Sequence, residues 1–237
     1  MISAFTKQKT GHLQIQKTGY HTNPSLYKTI TKYTDVIDFT KKTNLIIKIC
    51  QLVKIIDNKK ILKMSKREGN FISLKQVITN VGKDVIRFIM LLRKNNEDIE
   101  FDLEKITQES KDNPVFYVQY AHARCCSVLR EAGKTFNKKE VNLSNIQKIN
   151  LDNIEDINEI LLIKEIVKWP KILEDAVIHH EPHRITFYLY ELVTLFHSYW
   201  NLGKENKEFR FVSGGSNINN ARLILLQALS IVIKNGM

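Results

Sequence analysis

A short basic segment, residues 60–70, carries the side chains with the clearest chemical potential. Lys63 and Lys66 flank a Met-Ser pair, and Arg67 adds a third cation. Gly69 can adopt backbone angles closed to other residues, so we expect a loop here. Several cations delivered to one point suit a phosphate chain, because preorganised positive groups stabilise the charge that develops during phosphate chemistry. The pattern predicts a phosphate-binding loop, with a solvated basic surface loop as the alternative.

Three side chains at helical spacing form a second candidate site: Tyr117, Tyr120 and Arg124. Separations of three and four residues place them on one face of a helix. Unstacked RNA bases are bound on aromatic rings and arginine planes, so this face suits a single-stranded RNA loop. Packing against another helix is an alternative that the sequence leaves open. Lys204 and Arg210, in a predicted loop, suit a phosphate backbone or are simply solvated.

Strong local signals surround the basic segment. The apolar run at residues 45–56 is rich in Ile and Val, which predicts a strand leading into the loop. After the loop, Ser73 and Gln76 form a capping-box pattern that begins a helix, and Gly82 ends it. A second apolar stripe at residues 84–93 predicts another short helix. A charged loop held between such elements is a positioned loop.

From about Asn113 onward the sequence predicts four or five helices and no strand. The first should have Asn113 as its N-cap and Pro114 as its first residue, run to Ala132 and stop at Gly133. Pro170 should end or kink a later helix. A stripe at helical spacing predicts a helix near residues 154–168 with its acidic side chains outside: Ile154, Ile157, Ile160, Leu161, Lys164 and Val167 or Lys168. Residues 202–217 are expected to form a loop before a closing helix. This pattern predicts an α-helix bundle.

Charge and composition favour a polyanionic partner. The chain has 36 Lys and Arg against 25 Asp and Glu, a net charge of +11, which favours association with nucleic acid. No apolar run is long enough to span a bilayer, and the first residues lack the apolar core of a secretory signal. We therefore expect no membrane partner and a cytoplasmic location.

The metal-binding residue types do not form a recognisable site. Cys50 stands alone, and the adjacent Cys125 and Cys126 do not make a C-x-x-C pair, so we expect helix packing in a reducing compartment. Four histidines are expected at the surface or at helix caps, without a metal: His179, His180, His183 and His197.

The basic segment and its surroundings resemble a known family. The run Lys63-Met64-Ser65-Lys66 resembles the KMSKS loop of class I aminoacyl-tRNA synthetases. Five further segments, in order and spacing, resemble arginyl-tRNA synthetase and its helical DALR-type anticodon-binding domain: residues 84–88, 99–103, 113–124, 181–184 and 221–223. The resemblance covers roughly residues 45–237.

This resemblance implies a mainly α fold, with a helix-bundle anticodon-binding domain preceded by a short remnant of a class I catalytic domain. Residues 1–43 are unmatched, lack a clear hydrophobic period and are expected to be a poorly ordered extension. Residues 44–111 would be the end of the catalytic domain, and residues 112–237 the anticodon-binding domain.

The resemblance also implies a reaction, the ATP-dependent ligation of arginine to tRNA-Arg, with magnesium accompanying ATP. Lys63, Ser65 and Lys66 would be catalytic, and Lys63, Met64 and Lys66 would contact the ATP phosphates. Five residues would contact the tRNA: Tyr117, Tyr120, Arg124, Lys204 and Arg210. No residue is assigned to a metal, and no tightly bound cofactor is expected.

One half of the family's active site has no match here. Residues 1–43 contain no His-x-Gly-His-type ATP motif and no arginine pocket, so we expect the chain to be inactive alone. A separate chain carrying the N-terminal half could complement it. The alternatives are a non-catalytic tRNA-binding module or a truncated gene remnant. A cysteinyl enzyme is a weaker reading, because the cysteine ligands of its zinc site are not visible.

Overall fold

The computed structural model divides into two compact units, residues 1–62 with 93–101 and residues 63–92 with 102–237. It describes the following residues: 3–5, 46–48, 53–57, 60–62, 72–94, 97–108, 110, 112–135, 154–212 and 220–237. The three domains predicted from the sequence remain a prediction.

The first unit holds a two-stranded antiparallel pair. Strand β1 (Ser3–Phe5) pairs with β2 (Ile46–Lys48), with Ala4 opposite Ile47. Strand β1 lies in the extension at residues 1–43 that was expected to be poorly ordered, so the expectation was wrong for Ser3–Phe5. Its partner lies more than 40 positions away, and such pairing leaves no short-range signal.

A second sheet of the first unit has the order β4-β3-β5. Strand β3 (Val53–Asp57) forms an antiparallel pair with β4 (Lys60–Ile61), and β5 (Ile99–Asp102) lies on its other side. The predicted strand at residues 45–56 therefore contains two strands, β2 and β3. Lys54 Nζ lies 2.9 Å from Asp98 Oδ2, an exposed ion pair that stabilises the sheet only slightly.

The second unit begins with two short helices joined at Gly82. Helix α1 (Leu74–Val81) has Ser73 as its N-cap, and the capping box with Gln76 is present. Gly82 has a φ of +87°, a value that favours glycine, and links α1 directly to α2 (Lys83–Met90). Both predicted helices are confirmed, although α2 ends three residues before the predicted Arg93.

Asn113 connects the next two helices, α3 (Leu103–Thr107) and α4 (Pro114–Thr135). Its side-chain oxygen accepts from the Val115 amide at 3.1 Å, as predicted for an N-cap. Its Nδ2 donates to the carbonyls of Ile106 at 2.8 Å and Gln108 at 3.0 Å. Helix α4 continues through the predicted stop at Gly133, because glycine permits a left-handed end without requiring one.

Two helices of 11 residues each follow, α5 (Ile157–Val167) and α6 (Trp169–His179). Pro170 lies in the first turn of α6, where its missing amide hydrogen costs no helical bond, so the predicted break is confirmed. His180 ends α6 in the left-handed region, with a φ of 54°.

The predicted orientation of α5 was wrong. Glu159 and Glu165 are buried, whereas Ile157 and Leu161 are exposed. Burial of a carboxylate requires compensating hydrogen bonds and charge, and the Glu159 side chain finds both in Tyr199 and Arg222 on later helices.

The core of the second unit lies where α4 meets two long helices, α7 (His183–Glu205) and α8 (Asn220–Gly236). A 3₁₀ turn, Lys207–Phe209, follows α7, so the predicted loop begins at Asn206 instead of Leu202. Fully buried apolar side chains at helical spacing fill this core: Val118, Ala121, Cys125, Leu189, Leu192, Phe196, Leu226, Leu229 and Ile233. The mainly α bundle is confirmed. None of the helices described here has the length and apolar character needed to cross a membrane.

Candidate nucleic-acid interface

Arg124 on α4 lies among aromatic rings from two helices. Its guanidinium carbon is 4.1 Å from the centroid of the Tyr120 ring and 4.8 Å from that of the Trp200 ring on α7. Its Nη2 donates to the Tyr120 hydroxyl at 2.8 Å, and its Nη1 lies 3.0 Å from Nδ1 of His197. Cation–π contacts and two side-chain partners therefore fix the guanidinium plane.

His197 is the buried support of Arg124. Only 6% of the residue is exposed, so the surface position predicted for it was wrong. Burial, with Arg124 and Lys204 nearby, lowers the pKa of His197 to about 4, so the ring is neutral at pH 7. The neutral tautomer with a proton on Nε2 satisfies both contacts, since Nε2 then donates to the Tyr117 carbonyl at 3.4 Å and Nδ1 accepts from Arg124.

The other histidines divide between surface and interior. His183 is also buried, against the prediction, and its ring meets Phe187 edge-on. His179 and His180 are exposed, as expected. Among the residues described, no three His, Cys, Asp or Glu side chains come together in a group that could hold a metal ion.

The two tyrosines of the predicted face have different environments. Tyr117 is partly buried, with its ring 4.4 Å from His197 and 5.6 Å from Tyr190, an arrangement typical of helix packing. Tyr120 is 43% exposed, and the nearly parallel ring of Phe116 lies 6.0 Å away. The exposed ring with a cation over it belongs to Tyr120, so the stacking interpretation suits Tyr120 better than Tyr117.

A cavity of about 230 Å³ opens beside this cluster. Seven residues line it: Val128, Trp200, Gly203, Lys204, Arg210, Phe211 and Val212. The structure thus brings Lys204 and Arg210, which are both exposed, to one apolar cavity. Trp200 contributes to both the cavity and the Arg124 cluster, and so joins the two.

Trp200 and Phe211 were missed by the sequence analysis. Trp200 follows His197 by three positions and precedes Lys204 by four, so the three share a face of α7. That spacing was a usable signal for Trp200. No sequence signal pointed to Phe211. Its ring lies 6.2 Å from that of Trp200 only because the chain turns back after α7. The predicted phosphate-binding residues Lys63, Met64, Ser65 and Lys66 lie outside the described residues.

Two protein-family models match the chain. The model of the DALR anticodon binding domain matches residues 118–237, slightly more than half of the chain. This chain belongs to the DALR anticodon-binding domain family. The match covers α5 to α8 and nearly all of α4, so Tyr120, Arg124 and the cavity all lie in the DALR domain. The model of the class I tRNA synthetases (I, L, M and V) matches residues 48–102.

Curated relatives of this DALR protein are named arginine–tRNA ligase. The protein of Rhizobium meliloti is 47% identical over 191 residues, covering 80% of this chain and 32% of the relative. The protein of Rhodospirillum rubrum is 45% identical over 193 residues, covering 81% of this chain and 33% of the relative. The chain spans about a third of the length of these relatives. The predicted resemblance to arginyl-tRNA synthetase is confirmed.

Two solved structures are similar to this chain in fold. A crystal structure of an arginyl-tRNA synthetase from Campylobacter jejuni has a TM-score of 0.66 and 29% identity, covering 84% of this chain and 39% of that chain. The arginyl-tRNA synthetase of Plasmodium falciparum has a TM-score of 0.52 and 22% identity over 72% of this chain and 28% of that chain, a likeness of fold alone.

Proposed function

We propose that this chain is the C-terminal part of an arginyl-tRNA synthetase and binds the anticodon stem-loop of tRNA-Arg in the cytoplasm. The observation that carries the proposal is the exposed ring of Tyr120 under the fixed guanidinium of Arg124, beside a cavity edged by Lys204 and Arg210. Aromatic and guanidinium planes hold unstacked bases, and the two cations hold the backbone between them.

The roles within this face follow from exposure and charge. Lys204 and Arg210 contact phosphates and supply most of the affinity, while Tyr120, Arg124 and Trp200 contact bases and supply identity. Tyr117 packs behind them and orients His197. Neutral His197 accepts from Arg124 and so holds the guanidinium in place without adding a charge that would repel it.

The catalytic part of the proposal rests on residues 44–111. The class I synthetase match spans Lys63 to Lys66, which supports the assignment of Lys63, Ser65 and Lys66 to catalysis and of Lys63, Met64 and Lys66 to the ATP phosphates. In the parent reaction, arginine is activated with ATP and magnesium and then passed to tRNA. The side chains of Lys63 and Lys66 would stabilise the charge on the departing pyrophosphate.

An exchange assay separates a complete enzyme from a binding module. ATP–pyrophosphate exchange is measured with arginine and tRNA-Arg, first with the chain alone and then with a chain supplying the N-terminal catalytic half. We expect no exchange by the chain alone and exchange after complementation. Exchange by the purified chain alone would overturn the expected inactivity, and none in the mixture would leave a non-catalytic tRNA-binding module.

RNA binding is tested by a salt titration with a tRNA-Arg anticodon stem-loop. Each phosphate contact to a single strand contributes roughly 0.7 to the slope of log affinity against log salt. We expect the double variant Lys204→Ala with Arg210→Ala to reduce the slope by about 1.4 and to weaken binding. The matched control, Lys164→Ala with Lys234→Ala, removes two exposed charges that do not line the cavity and should leave the slope unchanged.

A further inference from the structure

A buried ion pair between α5 and α8 lies close to the cavity. Glu159 of α5 is fully buried and accepts hydrogen bonds from the Tyr199 hydroxyl and from Nε of Arg222 on α8. The Arg222 side chain is only 13% exposed. Because a buried carboxylate must be paired, Glu159 holds the Arg222 guanidinium in one orientation.

The same guanidinium also holds backbone. Nη1 of Arg222 donates to the carbonyl of Glu208 and, at 3.4 Å, to that of Arg210. Both carbonyls belong to the segment of residues 207–212, here called the cavity wall, whose last three residues line the cavity.

Other contacts place the wall close to α7. The Phe211 ring lies 5.2 Å from that of Tyr199, and Nε of Arg210 donates to the Gly203 carbonyl at 2.9 Å. A Cβ added at Gly203 would lie 3.3 Å from the Phe209 carbonyl oxygen, so the wall passes directly over Gly203. Ring packing and a hydrogen bond thus hold the wall against α7, and the Arg222 guanidinium adds the two hydrogen bonds to its carbonyls.

We propose that Arg222 is a positioning residue for RNA binding: held by Glu159, its guanidinium fixes the carbonyls of Glu208 and Arg210 and thereby sets the cavity wall. Arg222 does not line the cavity, so it acts through Arg210 and Phe211. The proposal rests on the proposed RNA-binding function of the cavity. Its test also has a readout that needs no RNA.

The decisive variant is Arg222→Lys in the full chain. A single ammonium can keep the ion pair with Glu159, but it lacks the fixed fork that also reaches both carbonyls. The readout is hydrogen–deuterium exchange at the amides of Glu208, Phe209 and Arg210, each of which is hydrogen-bonded. We expect these amides to exchange at least about tenfold faster while core amides of α7 are unchanged, since local opening precedes global unfolding.

RNA binding supplies the second readout. We expect Arg222→Lys to weaken anticodon stem-loop binding about five- to tenfold, with an unchanged salt slope because the cations of the cavity remain. The control is Arg184→Lys, which alters a partly exposed ion pair with Glu181 and should change neither readout. Unchanged exchange at the wall in Arg222→Lys would overturn the proposal.

A second variant keeps the proposal testable if Arg222→Lys fails to fold. Glu159→Met with Arg222→Met removes both buried charges together, and replacement of a buried ion pair by apolar side chains of similar volume is often neutral for stability. Faster exchange confined to the wall supports the proposal. Equal acceleration of the wall and core amides in both designs would overturn it, because the pair would then hold the whole bundle. Failure of the unmodified chain to bind RNA would refute the proposed function and leave the exchange result to decide the role of Arg222.

Discussion

The guanidinium carbon of Arg124 lies 4.1 Å from the centroid of the Tyr120 ring, one turn away on the same helix. The two side chains also share a hydrogen bond of 2.8 Å, so the ring and the cation are ordered before any partner arrives. A base that stacks on this pair therefore loses little conformational freedom on the protein side, and preorganisation of this kind increases affinity.

Replacement of Tyr120 by Ala should separate binding from packing. We expect stem-loop affinity to fall by about 1–3 kcal/mol, the usual effect of removing one stacking ring. The free energy of unfolding should fall by less than about 1 kcal/mol, because the side chain is largely outside the core. Fluorescence titration with RNA and urea unfolding provide the two measurements.

Phe187→Ala is the matched control for Tyr120→Ala. Phe187 is 40% exposed against 43% for Tyr120, and it lies on α7 outside the Arg124 cluster. Equal losses of RNA affinity in the two variants would show that Tyr120 has no specific part in binding.

His197 should make stability depend on pH between about 6.5 and about 4. Its folded pKa of about 4 lies below the ordinary value of 6.5, so the unfolded chain takes up a proton in this range and the native state does not. The stabilisation from the neutral ring is fully present above pH 6.5 and is lost as pH falls to 4, a change of about 3 kcal/mol.

The corresponding variant is His197→Asn, whose amide oxygen can take the place of Nδ1 as the acceptor for Arg124. The free energy of unfolding is measured with urea between pH 4 and pH 7.5. Between these pH values it should change by about 3 kcal/mol less in His197→Asn than in the unmodified chain. Parallel stability curves would show that His197 does not titrate in this range.

Two helical glycines should respond in opposite ways to Ala. At Gly133 a Cβ meets nothing within 4 Å, so Gly133→Ala should stabilise the chain by about 0.5–1 kcal/mol through helix propensity. At Gly236 a Cβ would lie 2.9 Å from both terminal carbons of buried Leu189. Gly236→Ala should therefore destabilise it by about 1 kcal/mol. The urea unfolding midpoints of the two variants test both predictions. A stabilising shift in Gly236→Ala would contradict the packing against Leu189, and a destabilising shift in Gly133→Ala would contradict the open space at Gly133.

The two adjacent cysteines should differ sharply in their reactivity toward an alkylating reagent. Cys125 is buried, and burial raises the pKa of its thiol, whereas Cys126 is exposed. In a Cys50→Ser background, iodoacetamide should modify Cys126 alone in the native chain and both thiols in urea, since the thiolate is the reactive form. Mass spectrometry of the peptides gives the result, and native modification of Cys125 would mean that α4 opens locally.

Local signals were sufficient for most helices. The capping box at Ser73 and the glycine at position 82 act through neighbours within four residues, and both ends of α1 were predicted correctly. The buried stripe of α4, including Val118 and Cys125, follows directly from helical periodicity.

The predictions failed where the burial of a residue depends on a partner far away in the sequence. Glu159 is buried because Tyr199 and Arg222 reach it from 40 and 63 positions away, and periodicity cannot show such partners. The candidate site divides in the same way. Tyr120 and Arg124 could be predicted from their spacing on one helix, whereas the cavity requires the packing of Trp200 against a wall that returns over Gly203.

The contacts of Asn113 have a mechanical consequence. One amide group bonds the carbonyls of Ile106 in α3 and of Gln108 just after it, and its oxygen caps the first turn of α4, so a single side chain joins the two helices. Replacing that side chain would remove all three hydrogen bonds, and α3 could then change its tilt without disturbing the rest of the bundle.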